Sequence, residues 1–190
     1  MKRIEIMVDI ETLGKALDPT VTQISAAAFN IVRGEIVDEF NEYIHIPEKL
    51  NIDNSTIIWW LSENPELLKN ILTSCGAAEN NEKDVISNFV DWVNELKTWY
   101  NQVYLWGNGI LFDNRIISQK CQKYDIEYPI FYRNDRDMRT IVDLAATKMN
   151  MDSEDYRAQF EFDGTEHDAL CDVKHQIKVV CNAYQTLGLA

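Results

Sequence analysis

Positive charge is what this chain has least of. Its 190 residues include 18 lysines and arginines against 31 aspartates and glutamates, a net charge of −13. A surface of that sign repels phosphate at long range and argues against a protein that coats nucleic acid through a basic face. It leaves room for an enzyme working through bound cations, which reverse the local field. Four cysteines (Cys75, Cys121, Cys171 and Cys181) are scattered without a CxxC pair. That pattern argues against structural zinc and a disulfide framework and fits a reducing, cytoplasmic setting. No apolar run approaches the roughly 18 residues of a membrane span, and Lys2-Arg3 is not followed by a signal-like apolar core. No membrane partner is expected. With 46% apolar and 11% aromatic residues, the chain can bury a real core, most simply as one domain over residues 1–190.

The stretch around which the rest is organised is Val8-Asp9-Ile10-Glu11-Thr12-Leu13-Gly14. Lys2–Ile10 reads as a strand ending on two carboxylates, and residues i and i+2 of a strand share a face. Val21–Ile31 and Glu35–Ile46 read as two further strands joined at the Arg33-Gly34 turn, with Pro47 closing the third. Ser55 is expected to cap a short helix carrying Trp59 and Trp60, and Pro65 to open a helix over Glu66–Leu72. Cys75–Asn81 reads as loop. Asp84–Trp99 has helical period, Gln102–Trp106 is a short buried strand, and a helix starts near Asp113. Thr140–Asn150, with Ile141, Leu144, Ala145 and Met149 inward, and His167–Leu187 complete the pattern. A meander followed by alternating strands and helices predicts an α/β domain with a mixed central sheet flanked by helices.

Three places set a carboxylate at the end or edge of an element. Asp9 and Glu11 project side by side, and such a pair repels unless a cation lies between; hard oxygen ligands suit Mg²⁺ or Mn²⁺. A solvated strand end is the plain alternative. Asp113 follows Trp106-Gly107-Asn108-Gly109, whose glycines allow close backbone approach, although a helix cap would explain it equally. Asp172 sits beside the apolar stripe of the last helix, where a carboxylate needs a partner or a metal. His167, five residues earlier, is ~140° away on an ideal helix. It can face the same site only from an entry loop, with Gly164 supplying the freedom; a surface or capping histidine is the alternative.

Asp-x-Glu on the first strand, Phe-Asp after a glycine-rich strand end, and His-x-Ala-x-x-Asp near the C-terminus resemble the three motifs of the DnaQ-like (DEDDh) 3′–5′ exonucleases, in order, over residues 4 to about 182. Trp59-Trp60, the Trp-Gly-Asn-Gly-x-x-Phe-Asp-Asn stretch and Asp135-Arg136-Asp137-x-Arg139-Thr140 resemble a narrower group that includes the phage exonuclease DexA and the mycobacterial ribonuclease RNase AS. One departure stands out. The second motif usually reads Asn-Ala-x-Phe-Asp, whereas here Gly109 takes the asparagine's place and Asn108 stands one residue earlier.

The resemblance implies an RNase H-like fold and hydrolysis of phosphodiester bonds from the 3′ end of DNA or RNA, releasing nucleoside 5′-monophosphates. It further implies two divalent ions, Mg²⁺ or Mn²⁺, on Asp9, Glu11, Asp113 and Asp172, with His167 as general base. The partner would be a nucleic-acid 3′ end, single-stranded or overhanging. Thr12 and Leu13 resemble contacts to the terminal nucleotide, with Leu13 as a wedge between bases. Trp60 is a candidate stacking platform, though adjacent tryptophans cannot face the same way and one of the pair is expected in the core. Asn108 and Arg139 are candidate substrate contacts, Arg139 being as readily an ion-pair partner of Asp135 or Asp137. Asp168 reads as solvated and His175 as an outer-face helix residue. Trp92, Trp99 and Tyr100 could serve a homodimer contact or be ordinary core. Two other readings stay open: a phosphodiesterase for small nucleotides or short oligonucleotides, and a catalytically silent relative that binds nucleic acid or protein.

Overall fold

In the computed structural model, which describes residues 2–189, the run Arg3–Thr12 (β1) is the middle strand of a five-stranded mixed sheet. On one side it pairs antiparallel with Val21–Asn30 (β2), which pairs antiparallel with Glu35–Tyr43 (β3). On the other side it runs parallel to Gln102–Gly107 (β4), and β4 runs parallel to the three-residue strand Asp135–Asp137 (β5). The helices are Asn54–Glu63 (α1), Pro65–Ala77 (α2), Glu82–Trp99 (α3), Asp113–Lys123 (α4), Met138–Met149 (α5), Ser153–Ala158 (α6) and Ala169–Leu187 (α7).

The period-2 alternation of β1 divides the core. Ile4, Ile6, Val8 and Ile10 point to one face, where Val85, Phe89 and Val93 of α3 and Ile116 and Ile117 of α4 cover them. Met7 points to the other, under Met138 and Val142 of α5 and Val173, Ile177 and Val180 of α7. Asp9 and Glu11 belong to this second face by the same alternation, at the end where the apolar cover stops. Across from them on β2, in register, stand Gln23 opposite Glu11 and Ser25 opposite Asp9. Both are fully buried and bonded through Asn41 of β3, so the polar strip beside the carboxylates continues into the sheet. A third cluster, Leu13, Trp60, Leu68, Ile71 and Cys75, seats α1 and α2 against the edge of the site.

Several boundaries differ from those expected. Ser55 does not cap α1. Asp53 holds the N-cap position without a side-chain cap bond, because its carboxylate accepts the backbone N–H of Lys15 at 2.5 Å. The Cys75-Gly76-Ala77 stretch is helix, not loop: Cys75 is fully buried and its thiol points to the Thr22 carbonyl, which carries α2 one turn further. In α5 the inward stripe is Ile141, Val142, Ala145 and Ala146, while Leu144 and Met149 are exposed. The last helix begins at Ala169, after His167. Of the three aromatics considered for a contact between copies, Trp99 is 66% exposed, while Trp92 packs on Phe40 and Phe89 and donates to Asp38. Among the described residues no helix is long and apolar enough to cross a membrane.

Candidate active site

The end of β1 opens into a cavity of about 560 Å³ whose lining includes Asp9, Glu11, Asp113, His167 and Asp172. Carboxylate oxygens of Asp9, Glu11 and Asp172 lie within 4.8 Å of one another. Asp113 joins them because β4 ends beside β1. Gly107, the last residue of β4, has no room for a side chain, since a Cβ there would meet Asn114 Oδ1 at 2.4 Å and Asp113 Oδ2 at 3.3 Å. The backbone N–H groups of Asp113 itself and of Ile10 favour the ionised form of the Asp113 carboxyl. Asp113 is the first residue of α4, after the N-cap Phe112, and lines the cavity instead of capping the helix.

Concentrating four carboxylates in a cleft raises their proton affinity. Burial, then Asp113 and Asp172, push Asp9 well above its ordinary range. Burial, then Asp9 and Asp172, do the same to Glu11. Burial raises Asp113 to about 7 against the pull of the backbone N–H groups and Arg139. It raises Asp172 to about 6, despite the favourable field of His167. Such a set is under-neutralised. Its chemistry (oxygen donors only, converging, partly buried) fits hard divalent cations, which would replace protons on these groups.

The entry to α7 positions the Asp172 carboxylate and the His167 imidazole. Asp168 is the N-cap, its Oδ1 accepting the Cys171 N–H at 3.0 Å, so it is a structural cap and not the solvated residue expected. His167 precedes it with φ +67°, and Gly164 has φ +112°. His167 is thus outside the helix, as facing the same cavity as Asp172 requires. Its ring meets Trp59 edge-on, centroids 4.9 Å apart, and Trp60 at 6.2 Å.

The expected substrate contacts fare unevenly. Leu13 is buried beneath α1 and α2; its N–H donates to Thr20 and its carbonyl accepts from Asp53. Neither its side chain nor its backbone is free for a nucleotide as placed. Trp60 is 2% exposed and its indole N–H donates to the Thr12 carbonyl, so it is the core member of the pair, and Trp59, 41% exposed, is the accessible ring. Thr12 lines the cavity, but its hydroxyl donates to the Gly14 carbonyl. Asn108 and Arg139 line it too; Arg139 pairs with neither Asp135, which accepts from Asn114 and Tyr128, nor Asp137, which accepts from the N–H of Ile110 and of Thr140.

Three wall residues escaped the sequence reading. Gln176, one helical turn after Asp172, donates its amide to Asp9 Oδ1 at 3.0 Å. His175 packs on Phe162 at the cavity wall instead of facing outward. Arg157 reaches in from α6 and donates to Asn108 Oδ1 at 3.2 Å. A helical period of polar residues on the cavity side of α7 (Asp172, His175, Gln176) was the available signal for the first two.

Comparison with known proteins agrees with this geometry. The chain is 26% identical over 164 residues to an exodeoxyribonuclease of Enterobacteria phage T4, covering 73% of this chain and 70% of the relative. Among solved structures, the nuclease domain of 3′hExo, a DEDDh family member bound to rAMP, superposes with TM-score 0.66 at 16% identity, covering 97% of this chain and 92% of that one. Exonuclease I of E. coli in complex with a dT13 oligonucleotide superposes with TM-score 0.69 at 12% identity, covering 99% of this chain and 42% of that one. At such identities the structures establish a shared fold. Residues 4–184 match the family model described as the 3′-5′ exoribonuclease Rv2179c-like domain. The chain belongs to that family and is a DnaQ-like 3′–5′ exonuclease.

Proposed function

We propose that this chain removes nucleoside 5′-monophosphates from the 3′ end of a nucleic-acid strand, using Asp9, Glu11, Asp113 and Asp172 to hold two divalent ions, Mg²⁺ or Mn²⁺, and His167 as general base. The observation that carries the reading is the convergence of the Asp9, Glu11 and Asp172 oxygens within 4.8 Å beside Asp113 and a non-helical His167. Bound in such a set, divalent ions supply Lewis-acid activation of water and charge neutralisation at phosphorus.

The chain's own residues do the rest. Gln176 fixes one oxygen of Asp9, so this carboxylate is oriented before any ligand arrives. His167, held on a left-handed residue between Gly164 and the N-cap, presents its imidazole to the cavity against the Trp59 edge, placed to accept a proton from an attacking water. Trp59 offers a face to a terminal base, a contact that tolerates any sequence. The negative surface is compatible with a polyanionic substrate because neutralisation is local. RNA is the first substrate to test, since the family model spanning residues 4–184 describes an exoribonuclease; the phage relative acts on DNA by its name.

The test is 3′-end shortening of matched 5′-labelled single-stranded RNA and DNA with Mg²⁺ or Mn²⁺, beside Asp9→Asn and a chelator control. A ladder lost in both controls is expected. Absence of shortening on either strand with either metal would overturn the reading.

A further inference from the structure

The cavity wall carries two guanidinium groups, Arg139 and Arg157, that form no salt bridge among the described residues. In a chain with 31 acidic residues, two free arginines on one wall of one cavity require a reason. Each is held there by its own framework. Arg157 follows Tyr156, which is 2% exposed and hydrogen-bonded to Thr186 of α7. That anchor pins α6 and leaves Arg157 half-buried, with Asn108 Oδ1 as the single polar partner of its side chain among the described residues. Arg139, at the start of α5, lies against the backbone of Gly109, where a Cβ would stand 3.1 Å from its Cζ. Gly109 occupies the place where the related motif carries asparagine. Without a side chain at Gly109 the guanidinium packs directly on the backbone here, and its charge acts on Asp113.

Resting on the exonuclease reading above, we propose that Arg139, Arg157 and Asn108 form a phosphate subsite that holds a backbone phosphodiester of the substrate other than the one cleaved. Two arginine forks beside an amide suit a diester's paired non-bridging oxygens. The scissile phosphate belongs with the carboxylate cluster, where cations do the neutralising. A phosphate bound directly by arginines therefore lies at a neighbouring linkage. Burial, then the charge of Arg139, disfavour the ionised form of Arg157 and outweigh the favourable field of Asp137, and an anion between the two guanidinium groups relieves both. The subsite gives a strongly acidic protein one direct handle on the strand and positions the end to be cut.

The test uses 5′-labelled strands carrying a single uncharged methylphosphonate at each successive linkage upstream of the scissile one. KM and kcat are measured for the wild type, Arg157→Gln, Arg139→Gln and Arg157→Lys. In the wild type, one linkage is expected to show an about tenfold rise in KM with kcat little changed, the size of a charge-assisted hydrogen-bond contact. Each glutamine variant should raise KM about tenfold on the all-phosphate strand and then show no further penalty at that linkage, while Arg157→Lys recovers part of the loss. Equal methylphosphonate penalties in the wild type and both glutamine variants, at every linkage, would overturn the subsite while leaving the exonuclease reading standing. A wild type that shortens no unmodified strand would overturn that reading and the subsite with it.

Discussion

Gln176 Nε2 donates to Asp9 Oδ1 across 167 residues of sequence, at 3.0 Å. Gln176→Leu should keep the fold, being close in volume, yet free Asp9 to rotate. Loss of such an outer contact typically weakens metal affinity or activity about 10–100-fold. Titrating Mn²⁺ against activity checks this: the half-saturating concentration should rise in the variant, and an unchanged midpoint would remove Gln176 from the site.

The two adjacent tryptophans separate stability from function. Trp60 is 2% exposed, inside the cluster under α1 and α2; Trp60→Ala should cost about 3–5 kcal/mol by cavity formation. Trp59, 41% exposed, meets the His167 ring at 4.9 Å. Trp59→Ala should shift stability by about 1 kcal/mol or less and raise KM for a single strand about tenfold through lost stacking. Urea titrations and steady-state kinetics of both variants distinguish the roles. Equal destabilisation would contradict the burial difference.

The reach of the sequence follows from what each element had to signal. The first four strands and α3 carry apolar runs or helical period that mark them as elements, although β3 buries only Phe40 and leaves Ile36 exposed, and the motif carboxylates stand where element ends converge. β5 is three residues long and reads Asp-Arg-Asp, so no hydrophobic period marks it; it exists because Leu105–Gly107 offers a parallel edge. α6 has six residues and a single buried side chain, Tyr156, too few to show periodicity. Trp60 and Trp59 could not be assigned to core and surface without knowing how α1 lies against β1. Gln176 and Arg157 act through space on residues distant in sequence, a relation that only the topology reveals.

The carboxylate cluster predicts an inverted pH response in the metal-free protein. Asp113 is raised to about 7 and Asp172 to about 6, each by burial first, whereas unfolded carboxylates titrate near ~4. Between those limits the folded state binds more protons than the unfolded one, so stability falls as pH rises through about 4 to 7. With metal removed, the melting temperature should be lower at pH 8 than at pH 5, by on the order of 5 °C. Mg²⁺ should restore it at pH 8 and do little at pH 5, where protons already occupy the site. Asp113→Asn should flatten the dependence. A chelated wild type that melts higher at pH 8 than at pH 5 would contradict the charge crowding.

Lys120 is the buried cation of the opposite face, with a side chain 3% exposed. Its ammonium donates to Asp18 at 2.5 Å, to the Pro19 carbonyl at 2.8 Å and to Glu82 at 2.7 Å. It thus ties α4 and the start of α3 to the segment after β1, whose Thr20 carbonyl receives the Leu13 N–H. Although burial works against ionisation of Asp18, Lys120 and then Lys123 hold its carboxyl below the ordinary value. Lys120→Met would strand Glu82, 15% exposed, without its closest counter-charge, at a cost of about 3–5 kcal/mol. Lys123 touches the same two acids but is 43% exposed, so Lys123→Met should cost no more than about 1 kcal/mol. Denaturant unfolding of the two variants gives the comparison directly. Because the network lies away from the carboxylate cluster, activity per folded molecule should persist in Lys120→Met well below its melting temperature, and a loss of turnover there would mean that the segment after β1 helps shape the site.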